Sequence, residues 1–428
     1  MKMTKQLKFM ANMLLVAAFA AMAASCSKDD PAPVEVTGVT VDPPTLTLTL
    51  RETATLTATI TPDDAADKTL TWTSSAPAVA SVADGVVTAL TVGSTTIIAA
   101  AANGKTAACE VTVQPPAVYV AGREENENGI AVAKVWKNGV ATALTSGANN
   151  AEAYSVFVSG SDVYAAGGEQ GANRIVVAKI WKNGAATALT DGANEAVAYS
   201  VFVSGDDVYV AGYELNANNL VAKVWKNGVA TALTDGAKMA AVLSVYVSGD
   251  DVYAAGIEEN ANGSYVAKVW KNGVATALTD GANLAYANSV FVSGSDVYVA
   301  GYERNANNWY VAKIWKNGAA TALTDDANDA YANSVFVSGS DVYVAGYEVN
   351  ASYYYVAKVW KNGAATALTD GTKDAYANSV FVSGSDVYVA GYEVNEHNWY
   401  VAKIWKNGAA TALTDGTNDA WAFSVFVK

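Results

Sequence analysis

The sequence YVAKIWKNGAATALTD, residues Tyr310–Asp325, recurs seven times along the chain with small changes. Its WKNG core starts at Trp136, Trp181, Trp225, Trp270, Trp315, Trp360 and Trp405. The steps between these tryptophans are 45 residues, except for one step of 44. So regular a period indicates a repeat architecture in which every repeat is one supersecondary unit. The fold of this region is therefore decided by what a single repeat forms.

Four strand-like segments separated by turn residues make up the repeat around Trp315. They are SVFV (289–292), VYVAGYE (297–303), WYVAKIW (309–315) and ATALT (320–324). Asn317-Gly318 predicts a two-residue type I′ hairpin, because that turn needs positive φ at both central positions. Four antiparallel strands in a repeat of about 45 residues predict one β-propeller blade, so seven repeats predict seven blades.

The ends of the repeat array predict a closed ring. The array starts at Val118 with a second-strand sequence and ends at SVFVK (424–428) with a first-strand sequence. We expect this last strand to complete the first blade, which removes exposed sheet edges. The repeat resembles kelch and tryptophan–aspartate propeller repeats in length and strand count, but it carries the motif of neither. We interpret the seven tryptophans as core residues between blades.

Residues 34–114 have a different pattern, in which Thr and Val alternate with period two. Such segments, broken by Pro, Asp and Gly, predict the short antiparallel strands of a β-sandwich. The stretches VTGVTVDP (36–43), ETATLTATITPDDAADKTLTWTSS (52–75) and CEVTV (109–113) resemble the group 2 bacterial immunoglobulin-like domain. The resemblance implies a spacer or adhesin-type module without a catalytic site, with Trp72 and Cys109 in its core. The chain is thus predicted to be all-β, an immunoglobulin-like sandwich followed by a seven-bladed propeller at 117–428.

The N-terminus reads as a targeting segment. Three lysines within the first eight residues precede a short apolar run (13–23) and small residues before Cys26. This order resembles a bacterial lipoprotein signal over residues 1–25, with Cys26 lipidated and an acidic, proline-containing linker at 26–33. We expect an outer-membrane protein, exposed at the cell surface and held by its lipid anchor only. An ordinary secretory signal that happens to precede a cysteine is the alternative.

Composition excludes several classes of function. The net charge is −14 and no long basic run is present, so a nucleic-acid partner is not expected. Two cysteines and one histidine, His397, disfavour a disulfide framework, a zinc site and a Ser-His-Asp triad. We expect no cofactor, no bound metal and a monomer.

Sequence differences between the repeats concentrate in two connections, from the second to the third strand and from the fourth to the next first strand. Both emerge on one side of a propeller, here called the variable face; the tight turns emerge on the other, the turn face. The candidate ligand-binding residues just before the first strand are Tyr286, Asn288, Tyr331, Asn333, Tyr376, Asn378 and Trp421. Those at the start of the third strand are Trp309, Tyr354 and Trp399. The equivalent position in the other repeats holds Ile130, Ile175, Leu220 and Ser264. Plain exposed surface and blade packing are the alternative interpretations.

Acidic residues also gather on the variable face. They are Glu303, Glu348, Glu393, Asp325, Asp326, Asp329, Asp370, Asp374, Asp415 and Asp419. We interpret them as a solvated acidic rim. Weak cation binding is the alternative, although the spacing of a calcium-binding loop is absent.

Aromatic and amide side chains on one face favour recognition of an extracellular glycan by a binding module that is not an enzyme. Near-identical repeats would offer several weak sites, so avidity could exceed the affinity of one site. A scaffold or adhesin for another surface protein is the first alternative. A carboxylate-based enzyme that degrades polysaccharides is the second, but repeats supply like groups in a ring, whereas catalysis needs unlike groups at one point.

Overall fold

The computed structural model describes residues 32–428, so the predicted signal sequence at 1–25 and the predicted lipidation site Cys26 lie outside the described residues. The chain divides into two compact units between Pro115 and Pro116. Within the described range every regular element is a β-strand, which confirms the all-β prediction. No helix in this range is long and apolar enough to cross a membrane.

The N-terminal unit is a sandwich of short strands with Thr outward and aliphatic residues inward. Its strands are β1 (Gly38–Asp42), β2 (Thr45–Thr49), β3 (Thr53–Thr55), β4 (Thr57–Thr61), β5 (Leu70–Ser74), β6 (Ala80–Ala83), β7 (Val86–Ala89), β8 (Gly93–Ala101) and β9 (Thr106–Gln114). The main sheet has the order β2-β9-β8-β5, and β3-β7-β6 and β1-β4 pair separately. Cys109 is fully buried beside Ile97 and Val111, with Trp72 packed against the same cluster. Both positions agree with the resemblance.

The second unit consists of seven four-stranded antiparallel sheets, one per repeat. Blade 1 contains β10 (Val118–Glu125), β11 (Ala131–Lys137), β12 (Val140–Ala143) and the last strand, β37 (Ala420–Val427). Blade 2 is β13 (Ala151–Ser159), β14 (Asp162–Gln170), β15 (Val176–Lys182) and β16 (Ala185–Ala188). Blade 3 is β17 (Ala196–Ser204), β18 (Asp207–Leu215), β19 (Leu220–Lys226) and β20 (Val229–Ala232). Blade 4 is β21 (Ala240–Ser248), β22 (Asp251–Glu259), β23 (Tyr265–Lys271) and β24 (Val274–Ala277).

The remaining blades repeat the pattern almost letter for letter. Blade 5 is β25 (Ala285–Ser293), β26 (Asp296–Arg304), β27 (Tyr310–Lys316) and β28 (Ala319–Ala322). Blade 6 is β29 (Ala330–Ser338), β30 (Asp341–Val349), β31 (Tyr355–Lys361) and β32 (Ala364–Ala367). Blade 7 is β33 (Ala375–Ser383), β34 (Asp386–Val394), β35 (Tyr400–Lys406) and β36 (Ala409–Ala412). In blades 2–7 the strands pair in chain order, so each blade is an up-and-down meander.

The repeat tryptophan lies between neighbouring blades, as the sequence predicts. Trp315 is fully buried and packs with Ala285 and Val290 of its own blade and with Tyr253 of blade 4. All seven equivalents are among the most completely buried large side chains of the chain. Small residues on the first strand leave the room that each indole fills.

Two cycles of contacts show that the ring is closed. The Ser Oγ of each first strand accepts a hydrogen bond from a Val N–H of the next blade at 3.1–3.2 Å. The last of these joins Ser424 to Val156, from β37 to blade 2. One aromatic ring per blade also contacts its two neighbours, with centroids 4.7–5.0 Å apart. These seven rings are Phe157, Phe202, Tyr246, Phe291, Phe336, Phe381 and Phe426, so the first strands lie innermost.

The strand β37 completes blade 1 by pairing with β10, which confirms the predicted closure. The N–H of Ala117 donates to the Lys428 carbonyl at 2.6 Å, and the N–H of Lys428 donates back to Ala117 at 2.9 Å. The two ends of the repeat array are therefore joined through one sheet.

The predicted hairpin turns are confirmed. Asn317 has φ 50° and Gly318 has φ 83°, as a type I′ turn requires. Asn317 also fastens the neighbouring turn, because its Oδ1 accepts the Val297 N–H at 2.9 Å and its Nδ2 donates to Asp296 at 2.8 Å. The same side-chain hydrogen bonds therefore hold the two turns of each blade together on the turn face in blades 2–7.

Candidate functional site

On the variable face, the two variable connections of each blade are tied together. In blade 5 the Asn305 side chain donates to the Asp326 carbonyl at 3.4 Å. In blades 6 and 7, Asn350 and Asn395 donate to Gly371 and Gly416 at 2.8 and 2.9 Å. The two loops of a blade are therefore joined by a hydrogen bond and form one continuous surface.

The first strand begins earlier than the sequence predicts. It starts at Ala285 rather than Ser289, and a β-bulge separates Ala287 from Ser289. Tyr286 and Asn288 therefore lie in the strand and not in the connection before it. The bulge brings the chain so close to the second strand that a Cβ at Gly301 would lie 1.9 Å from the Tyr286 carbonyl oxygen. Glycine in the second strand is required by this approach.

The predicted tyrosines belong to a continuous row of aromatic side chains. Tyr286 stacks on Tyr302 of the paired strand at 4.9 Å, and Tyr302 meets Tyr331 of the next blade edge to face at 4.9 Å. The same alternation continues through blades 6 and 7 by way of Tyr347, Tyr376 and Tyr392 to Trp421. Tyr286, Tyr331, Tyr376 and Trp421 are half-buried, and the equivalent Val197 and Ala241 in blades 3 and 4 are buried. The series is thus less exposed than its sequence variation suggests.

Sequence reasoning missed six of the ten members of this row. Tyr302, Tyr347 and Tyr392 on the second strands, with Tyr310, Tyr355 and Tyr400 on the third, complete it. The position of Tyr302 varies between blades, and this variation could have marked it as a candidate. The other blades have Arg123, Gly168, Tyr213 and Ile257 there. Burial raises the pKa of the Tyr302, Tyr347 and Tyr392 hydroxyls well above their ordinary range.

The predicted asparagines link neighbouring blades. Asn288, Asn333 and Asn378 each donate from Nδ2 to an alanine carbonyl of the following blade at 2.9–3.1 Å. The acceptors are Ala332, Ala377 and Ala422. At the corresponding position blades 2 and 3 have Tyr154 and Tyr199, whose ring centroids lie 5.2 Å apart. The amides therefore hold the inner edge of this face together.

Trp309, Tyr354 and Trp399 stand on the outer loops of blades 5, 6 and 7. Each backbone N–H donates to the Oδ1 of an asparagine four residues earlier, at 2.9–3.1 Å. Their side chains are 39–40% exposed, so they are the predicted site residues most open to solvent. In blade 3 the equivalent is Asn219 rather than Leu220, because the Asn216 N–H bonds the Asn219 carbonyl in a loop one residue shorter. The assignment of Leu220 to this series was wrong.

The acidic rim is not a rim of free carboxylates. Lys313 pairs with Glu303 at 2.5 Å across the second and third strands, and the six other blades carry an equivalent Lys–Glu pair. The prediction of solvated Glu303, Glu348 and Glu393 was therefore wrong. Asp329, Asp374 and Asp419 accept the backbone N–H of Tyr310, Tyr355 and Tyr400 at 2.8–2.9 Å. Among residues 32–428, no cluster of three or more His, Cys, Asp or Glu side chains is arranged to hold a metal ion.

A cluster of unlike groups ends the aromatic row at the seam between blades 1 and 2. The Arg123 guanidinium lies 3.9 Å from the Trp421 ring centroid and pairs with Glu152. Glu152 also accepts the hydroxyl of Tyr154. Burial, with the adjacent Glu152 carboxylate, raises the pKa of Tyr154 far above its ordinary value. The hydroxyl therefore stays protonated, and the charges of Arg123 and Glu152 satisfy each other.

Comparison with known proteins identifies the first unit. Residues 35–111 match the bacterial Ig-like domain (group 2) family, which confirms the predicted resemblance. An α-L-arabinofuranosidase of Bifidobacterium longum is 41% identical over 107 residues, 24% of this chain and 10% of that protein. An Ig-like virion protein of Serratia phage KSP90 is 45% identical over 83 residues, 19% of this chain and 32% of that protein. The chain thus spans less than two thirds of the length of either relative.

Solved structures support the fold alone. The crystal structure of a puromycin hydrolase aligns with a TM-score of 0.50 and 11% identity, covering 70% of this chain and 52% of that one. At this identity the likeness carries no information about the ligand or the chemistry.

Proposed function

We propose that the propeller is a non-catalytic module that binds an extracellular glycan on its variable face. One observation carries the proposal. Trp309, Tyr354 and Trp399 are exposed on loops that fold in the same way when the position holds another residue. Blade 4 has Ser264 there and blade 1 has Ile130, with the same bond from the backbone N–H to an asparagine Oδ1, at 3.1 Å in both.

The aromatic residues are therefore not needed to build the loop. Exposing a large aromatic ring to water is unfavourable, so a packed fold gains nothing from three of them on one face. Flat, partly exposed rings with polar neighbours suit the apolar faces of sugars, whose hydroxyls bond nearby amides. The stretch of 107 residues that is 41% identical to part of an α-L-arabinofuranosidase is compatible with a setting rich in glycans.

The proposal also includes lipidation at Cys26 and display at the outer membrane. It rests on the order of basic residues, apolar run, small residues and cysteine at the N-terminus. Labelled palmitate should enter the wild-type protein in cells and fail to enter a Cys26→Ala variant. Equal labelling of both would contradict lipidation at this position.

A binding screen tests the propeller. The full chain, solubilised from membranes in detergent, is passed over immobilised neutral and charged polysaccharides. We expect retention of the protein on at least one neutral polymer without release of sugar, and weaker retention for Trp309→Ser, which installs the residue that blade 4 has. Ser264→Ala is the matched control. No retention on any polymer would contradict glycan binding, and released sugar would favour an enzyme.

A further inference from the structure

We infer that the site is a row of three adjacent subsites, in blades 5, 6 and 7, for one extended and uncharged polysaccharide chain. The inference rests on the proposed function and adds the number of subsites, their order and the class of ligand. It depends on where the exposed aromatic residues lie, on one strained residue and on the charge of the surrounding loops.

The exposed aromatic residues are confined to one sector of the ring. Among the described residues, four aromatic residues (Phe, Tyr or Trp) are exposed, and all of them come from blades 5–7. They are Trp309, Tyr353, Tyr354 and Trp399. The outer-loop position in blades 1–4 holds Ile130, Ile175, Asn219 and Ser264. Of the seven similar loops, three adjacent ones thus carry an exposed aromatic residue at this position, and the other four do not.

The middle blade of this sector carries a residue that the fold disfavours. Tyr353 has φ 65° and is 84% exposed. Positive φ is unfavourable for a bulky side chain, and the same loop position holds Asn308 in blade 5 and Asn398 in blade 7, at φ 66° and 63°. Tyr353 makes the loop strained and exposes an aromatic ring. A ligand contact accounts for both features, whereas packing accounts for neither.

The spacing of the subsites requires a chain rather than a single sugar. Packed sheets lie about 10 Å apart face to face, so equivalent loops of adjacent blades are separated by at least this order of distance. One sugar ring stacked on Trp309 therefore does not reach Tyr354. A polymer can contact all three subsites, and each further contact raises the affinity through effective concentration.

Charge selects against acidic polymers. Beyond the carboxylates paired with lysine, the variable loops of blades 5–7 carry eight carboxylates and only two cationic side chains, Arg304 and Lys373. The carboxylates are Asp325, Asp326, Asp329, Asp370, Asp374, Glu396, Asp415 and Asp419. A sulfated or uronate-rich chain would meet a negative field along its length. The ligand that fits is uncharged.

Affinity measurements with oligosaccharides of increasing length test the number of subsites. The full chain is titrated with glucose-, xylose- and mannose-based oligomers, the parent neutral polymers, polygalacturonate and heparin. We expect the best neutral polymer to bind at least tenfold more tightly than its monosaccharide, and the two polyanions to bind more weakly than the neutral polymers. Trp309→Ala, Tyr354→Ala and Trp399→Ala should each reduce polymer affinity, the double variant Trp309→Ala/Trp399→Ala should reduce it to about that of the monosaccharide, and the triple variant should abolish binding.

Two further variants separate the inference from the proposed function. Ile130→Trp in blade 1 lies next to blade 7, so it should add a fourth adjacent subsite and raise affinity for long chains only. Ile175→Trp in blade 2 is the control, because it is not adjacent to the row. Tyr353→Asn should weaken polymer binding without lowering the unfolding midpoint, since blades 5 and 7 have Asn there.

The outcomes are distinguishable. If a neutral glycan binds but the monosaccharide equals the polymer, or if Ile130→Trp and Ile175→Trp act alike, the row of subsites is overturned while glycan binding stands. Tighter binding of polygalacturonate or heparin than of any neutral polymer overturns the class of ligand. No binding of any sugar overturns the proposed function and this inference together.

Discussion

At the scale of single residues, the repeat tryptophan packs neighbouring blades against each other. Trp315 is fully buried between two blades. Trp315→Ala should lower the free energy of unfolding by about 3–5 kcal/mol, because it removes the ring and leaves a cavity. Chemical denaturation measures the change. Trp315→Phe keeps an aromatic ring and removes an indole N–H without a protein hydrogen-bond partner, so it should cost less. Equal losses for both variants would contradict a packing role.

The buried tyrosines predict a dependence on alkaline pH. Burial raises the pKa of Tyr302, Tyr347 and Tyr392 above the ordinary value of 10.0. The folded state then holds protons that the unfolded state releases, so this stabilisation is complete below pH 10 and is lost as pH rises through the folded pKa values. Absorbance of tyrosinate during an alkaline titration should show part of the tyrosine signal appearing only as the fold is lost. A single transition at the ordinary value would contradict burial of the row.

The sequence predicts single residues well where their chemistry is local. Asn317-Gly318 determines its turn through backbone preference alone, and the burial of Trp315 follows from its place on a strand. The role of Tyr302 was missed because its stretch is letter-identical in blades 5–7, although comparison with the remaining blades, where this position varies, would have marked it. Trp309 stood out because it differs between blades, and it is 40% exposed.

At the scale of secondary-structure elements, the first strand carries the contacts between blades. The Ser289 Oγ accepts the Val335 N–H of the next blade at 3.2 Å. Ser289→Ala should cost about 1–3 kcal/mol of stability, because the buried N–H is left unsatisfied. Thermal unfolding measures the loss, with Ser293→Ala at the end of the same strand as control. Equal shifts in both variants would show that the hydrogen bond has no special role.

The bulge in this strand explains the main error of the sequence prediction. The run AYANSVFVS at 285–293 forms one strand, but the extra residue at the bulge interrupts the period of two. Residues before it therefore read as a connection, and Tyr286 and Asn288 were placed outside the sheet. The one-residue deletion in blade 3 caused the other error, because the shortened loop is located by its backbone hydrogen bond and strand register, which the sequence does not show.

At the scale of the whole molecule, ring closure depends on a single strand contributed from the far end of the repeat array. Pairing of β37 with β10 supplies the innermost strand of blade 1, the Ser424 hydrogen bond to blade 2 and the Phe426 member of the aromatic ring. Six blades are each continuous in sequence, so closure is a property that no single repeat contains. This is why the prediction had to come from the ends of the array.

Removal of residues 420–428 should therefore open the ring. The truncated chain leaves the edge of β10 unpaired, and exposed strand edges associate with other chains. We expect oligomers in size-exclusion chromatography and a lower unfolding midpoint, both reversed by adding the peptide AWAFSVFVK. Ser424→Ala in the full chain is the control, because it removes one hydrogen bond and keeps the strand. A monomeric truncated chain with an unchanged midpoint would mean that the seven blades hold their circle by blade packing alone.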